Sequence, residues 1–108
     1  MAWVYVLIAG LLEIAWAVEI RVAVHHPRYW PTILAFVLSI GSFAFLMLAI
    51  KHQLPLGTSY AVWTGIGAVG VALCGMVFFS ESTDPRRLFF MALVVVGILG
   101  LKFFETAK

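Results

Sequence analysis

Glu13 is the residue of this chain best placed to do chemistry. It sits in IAGLLEIAWAV, Ile8 to Val18, where every other residue is apolar or glycine. On a helix, residues three and four positions apart share a face, and for Glu13 these are Ala9, Gly10, Trp16 and Ala17. None is basic. Arg21 lies eight residues on, about 12 Å along a helix axis, too far for a direct ion pair. A carboxylate inside a membrane is a functional-site candidate by default, because its charged form is costly there. It can be protonated, paired with a cation, or facing water. The competing reading is a protonated glutamate that only hydrogen-bonds between helices, a task glutamine would perform without titrating.

Two further stretches carry polar side chains inside apolar runs. In GTSYAVWTGIGAVG, Tyr60, Trp63, Thr64 and Gly67 share one helical face. Buried Tyr and Trp normally find hydrogen-bond partners, and a carboxylate accepts from both; ordinary aromatic packing explains the pair equally well. Gly65, Gly67 and Gly70 suit a hinge or a close helix crossing, of which close packing is the commoner cause. Ser39, Ser42 and Phe43 share a face of another run. A serine at that depth more often bonds back to its own helix than serves a ligand.

The elements that position these residues follow from composition. The chain has 108 residues, of which 64% are hydrophobic and 11% charged. A soluble domain is close to half apolar with about a quarter of its residues charged, so this is the composition of a membrane protein. Crossing a bilayer takes about 20 helical residues, and four stretches qualify, over about 2–22, 31–50, 57–79 and 88–104. They form one transmembrane domain and leave no room for a soluble one. Pro27 and Pro31 interrupt the first connection, KHQLPLG makes the second and SESTDPRR the third. Loops this short make consecutive helices antiparallel neighbours. Trp3, Tyr29 and Trp30 fall near span ends, as interfacial aromatics do. The chain turns apolar at Ala2 with no basic region before it, so the first segment is expected to be retained rather than cleaved.

The remaining polar residues narrow the function. Basic residues are scattered, which gives nucleic-acid binding no support. The single Cys74 reads as a packing residue. His25, His26 and His52 read as solvated loop residues, and no metal site or cofactor is expected. With four spans, Lys51, Lys102 and Lys108 lie on one side of the membrane and Arg21, Arg28, Arg86 and Arg87 on the other. Three against four is almost no bias under the positive-inside rule. The chain is therefore expected to insert both ways round and to pair with its own inverted copy, unless features outside this count fix one topology. Gly97 and Gly100 suggest helix packing between subunits.

At this point the chain resembles the small multidrug resistance family, and within it the guanidinium-exporting branch. The likeness runs along the whole chain and rests on AGLLEIAWAV, on GSF at Gly41 to Phe43, on LPLGTSYAVWTGIGAVG, and on GILGLK. Trp16-Ala17, Gly41-Ser42 and the terminal Gly-Leu-Lys look like the guanidinium branch rather than the polyaromatic-drug branch. The resemblance implies an all-α membrane protein, four helices per subunit in an antiparallel, dual-topology homodimer of a bacterial inner membrane. Glu13 of both subunits would form one central site for protons or substrate. Trp16, Ser42, Tyr60 and Trp63 match residues that line the site and hydrogen-bond the carboxylates, and Gly65 and Gly67 match a flexing point of the third helix. Glu19 and Arg21 depart from the usual small or apolar residue and lysine; Glu19 lies about 120° from the Glu13 stripe and reads as part of the span end, not as a second binding site.

Two carboxylates sharing a low-dielectric site release their protons as a coupled pair. A cation can then take the protons' place. Guanidinium is planar with donors around its edge and suits carboxylates as arginine does, and aromatic walls add cation–π attraction. The expected activity is proton-coupled export of guanidinium and small guanidinyl cations by a transporter, not an enzyme. Export of quaternary ammonium or other hydrophobic cations is the nearest alternative. A proton-carrying rotor subunit fits less well, since it needs no aromatic-walled cavity, and a purely structural membrane subunit would leave Glu13 without a role.

Overall fold

A computed structural model describes residues 2–104, so Lys108 of the charge count lies outside the described residues. Four helices follow one another: α1 (Ala2–Val24), α2 (Trp30–Lys51), α3 (Leu56–Phe78) and α4 (Pro85–Phe103). Their ends follow from a few residues. α1 stops just before Pro27, and α2 takes Pro31 in its first turn, where a missing N–H costs nothing. α2 ends with Gln53 at φ 81°, and the Leu54 N–H returns to the Ala49 carbonyl at 3.2 Å. This is a left-handed C-terminal cap with glutamine where glycine is usual. α4 starts at Pro85 beneath an Asp84 cap, whose carboxylate accepts the Arg86 N–H at 2.8 Å. The Arg86 side chain also bonds Asp84, and together with that backbone contact it holds the carboxyl below its ordinary value.

α1, α2 and α3 are 23, 22 and 23 residues long, and each is apolar enough to cross a membrane. α4 has 19 residues and carries Arg86, Arg87 and Lys102 near its ends. α1 is the central helix, flanked by α2 and α3, and α4 packs against α3. Lys102 Nζ also lies 4.8 Å over the Trp3 ring and ties the end of α4 to the start of α1.

The buried core gathers at one end, where α1 and α3 begin and α2 finishes. It consists of Val6, Ala9, Leu46, Ala49, Leu54, Val62 and Trp63. Small residues bring the helices close there: a Cβ on Gly10 would come within 2.7 Å of Ile66 Cγ2, and one on Gly70 would overlap Ile14. The four helices together form a flat layer, measuring 47 × 34 × 16 Å. Large apolar side chains such as Phe36, Ile40, Met47 and Val77 face outward, each about two-thirds exposed or more. A chain of this size in water would not leave so much apolar surface uncovered. Two of the loop histidines also pack. His52 stacks on Tyr5 at 5.1 Å, and His26 meets Trp30 edge-on at 5.4 Å.

Candidate functional site

The site is built where α1, α2 and α3 meet, just beyond the core. Glu13 reaches from α1 onto Gly67 of α3. A Cβ on Gly67 would overlap the Glu13 carboxylate, so the absent side chain is the carboxylate's seat. Glu13 Oε1 is buried and has no hydrogen-bond partner among the described residues. The ion pairs among those residues, Arg86–Asp84 at 2.9 Å and Arg87–Glu81 at 2.9 Å, both lie at the α3–α4 connection. Burying a charge without a partner is expensive. Among the described residues, that Glu13 oxygen is thus left with acceptor capacity that nothing satisfies.

One turn from Glu13, a buried network ties the three helices. Ser42, fully buried, donates its hydroxyl to the Ala9 carbonyl at 2.7 Å and accepts from Trp63 Nε1 at 2.9 Å. The resemblance implied that Ser42 and Trp63 bond the carboxylates; in this conformation they bond each other and the α1 backbone. A serine hydroxyl has one proton to give, and the Ala9 carbonyl takes it. The back-bonding expected of a mid-helix serine occurs instead at Ser39, which donates to the Phe36 carbonyl at 2.7 Å. Thr64 is likewise used up on the Tyr60 carbonyl at 2.8 Å.

Aromatic rings wall the site. Trp63 has Phe43 at 5.4 Å and Tyr60 at 5.7 Å, and Tyr60 is 55% exposed, on the uncovered face of the layer. Trp16 stands one turn from Glu13 on α1 and lines a groove of about 500 Å³ with Ile20, Ala23, Phe36, Ser39 and Phe43. Its Nε1 is buried with no hydrogen-bond partner among the described residues. The structure thus brings Glu13 together with Gly67, and Ser42 with Trp63 and Tyr60, and sets Trp16 on the groove. α3 runs unbroken through Gly65 and Gly67. Gly65 faces α4, where a Cβ would come within 2.8 Å of Ile98 Cδ1. In this conformation both glycines allow the close approach of a side chain from a neighbouring helix.

Sequence reasoning missed Ser59, fully buried, whose hydroxyl has no partner among the described residues. Its spacing of four from Trp63 and eight from Gly67 puts it on the same stripe of α3, which is the signal that could have found it. Among the described residues, no group of three or more His, Cys, Asp or Glu comes together as a metal site would require.

The geometry can be set beside known proteins. Residues 1–94 match the family model described as small multidrug resistance protein. The chain is 49% identical over 102 residues to the guanidinium exporter of Escherichia coli strain K12, covering 94% of this chain and 96% of that protein. It is 47% identical over the same shares to the guanidinium exporters of Salmonella typhimurium and of Citrobacter freundii. A family match over most of the chain, with near-half identity end to end, leads to one conclusion: the chain belongs to the small multidrug resistance family.

Proposed function

We propose that this protein is a proton-coupled exporter of guanidinium and small guanidinyl cations, working by alternating access in a bacterial inner membrane. The observation that carries the reading is the Glu13 carboxylate, seated on Gly67 with a buried oxygen that no described residue bonds. The names of the relatives supply the cation.

The working unit is an inverted homodimer. Each layer leaves an apolar, aromatic face uncovered, and a second copy turned over in the membrane would cover it and bring the two Glu13 carboxylates into one site. α4 completes each subunit as a fourth span; its 19 residues extend about 28 Å, near the thickness of the hydrocarbon core. Protons and the cation then occupy the same carboxylates in turn. Guanidinium presents its donors in the plane of the carboxylates, while Trp63, Tyr60 and Trp16 offer ring faces to its charge. Subunits related by inversion make the inward- and outward-open states equivalent by exchange of roles, as inverted repeats do in larger transporters. If exchange of states requires a proton or a cation on Glu13, proton influx drives cation efflux.

The reading is tested with purified protein in liposomes carrying an internal pH indicator. Guanidinium is expected to drive proton movement, and a bulky quaternary ammonium is not. A response to the bulky ion alone would overturn the substrate assignment in favour of a drug-exporting role.

A further inference from the structure

Glu19 is the second acidic residue of α1, and the mechanism above does not use it. By helical spacing it shares a face with Leu12, Trp16 and Ala23. That face is turned toward α2. Leu12 Cδ1 lies 3.5 Å from where a Cβ on Gly41 would stand, and Trp16 and Ala23 line the groove opposite Thr32, Ala35 and Ser39. Glu19 therefore flanks the groove between two of its lining residues. Its Oε2 is buried and has no hydrogen-bond partner among the described residues. Three residues away, Trp16 Nε1 is also buried and without a partner among those residues.

Glu19, like Glu13, has no basic neighbour on its own helix face. Residues three and four positions from Glu19 are Ala15, Trp16, Val22 and Ala23, none of them basic. Arg21, two positions on, projects from the opposite side of α1, where its guanidinium lies 4.7 Å over the Phe79 ring. α2 has one charged residue, Lys51, at its far end. Reading Glu19 simply as part of the span end, as the sequence suggested, does not by itself account for a carboxylate oxygen that is buried and has no partner among the described residues. An anion at the margin of an apolar, aromatic-lined groove attracts a cation that passes through it.

We propose that Glu19 is a second, weaker acidic station for the transported cation, about 9 Å along α1 from Glu13, at the outer part of the groove. The proposal rests on the export of a guanidinium-type cation. A cation displaced from Glu13 by protons meets the Trp16 ring and then the Glu19 carboxylate before it leaves. In the opposite direction, Glu19 raises the local concentration of the ion near Glu13.

The test follows the Trp16 indole N–H resonance of the protein in lipid nanodiscs, as guanidinium chloride replaces sodium chloride at constant ionic strength. In Glu13→Gln, a weaker guanidinium-dependent shift is expected to persist, and the added Glu19→Gln change is expected to remove it. In liposomes, Glu19→Gln alone is expected to raise the guanidinium KM about fivefold, the scale of a partly solvated ion pair, with proton coupling kept. Glu19→Asp, which retains the charge, is expected to recover most of the difference. No shift in Glu13→Gln, or a Glu19→Gln protein with the wild-type KM, would overturn the proposal. Absence of guanidinium flux in the wild type would instead count against the substrate assignment on which it rests.

Discussion

Replacing Glu13 by glutamine is expected to abolish proton-coupled guanidinium exchange while leaving the four helices in place. Glutamine keeps the length and shape of the side chain, so the seat on Gly67 stays filled. What disappears is the charge that holds a cation and the group that takes a proton. Removing one member of a buried, hydrogen-bonded charge pair costs about 2–5 kcal/mol in binding, so guanidinium affinity should fall roughly thirtyfold or more. The fold has little to lose, because no described residue bonds Glu13 Oε1. Helix content and the thermal unfolding midpoint in detergent should stay close to wild type. A Glu13→Gln protein that still exchanges protons for guanidinium would remove the carboxylate from the mechanism.

Gly67→Ala should separate stability from function. The new Cβ would occupy the space of the Glu13 carboxylate, the far end of a flexible side chain that can swing away at small structural cost. Alanine is also the better helix former by about 1 kcal/mol, so thermal stability should be nearly unchanged. The carboxylate, however, leaves its seat, and displacement of a binding group by an ångström is enough to cost transport about tenfold or more. Gly57→Ala is the matched control. It lies on the same helix with nothing within 4 Å of the added Cβ and should transport normally. Equal flux in Gly67→Ala and Gly57→Ala, measured as guanidinium-driven proton movement, would show that the seat does not matter.

How far the sequence reaches is clearest from individual residues. Glu13 was legible at once, because a carboxylate in an apolar run with no basic residue at three or four positions has few explanations. The four helices were legible for the same kind of reason, since length, hydropathy and proline placement are local properties. Ser42 was harder. Whether its hydroxyl serves its own helix, a neighbouring backbone or a carboxylate depends on interhelical distances, and the outcome here, a bridge from Trp63 to the Ala9 carbonyl, depends on how closely α1, α2 and α3 approach. Gly65 and Gly67 were equally ambiguous. A glycine that permits bending and one that permits contact look alike in sequence, and the contacts themselves, with Ile98 for one and Glu13 for the other, become visible only once the helices are packed. Glu19 was read as part of the span end from its position alone; that one of its carboxylate oxygens is buried depends on how the helices pack around it, which the sequence does not carry.

The account turns on protons and cation competing for one carboxylate, and proton release on binding tests this most directly. Purified protein in weakly buffered detergent, with a pH indicator present, is mixed with guanidinium chloride near neutral pH, using sodium chloride as the blank. Binding is predicted to release protons from the wild type, in smaller amount as the starting pH rises and the carboxylates are already ionised, and none from Glu13→Gln. Guanidinium that binds the wild type without releasing protons at any pH would contradict the account.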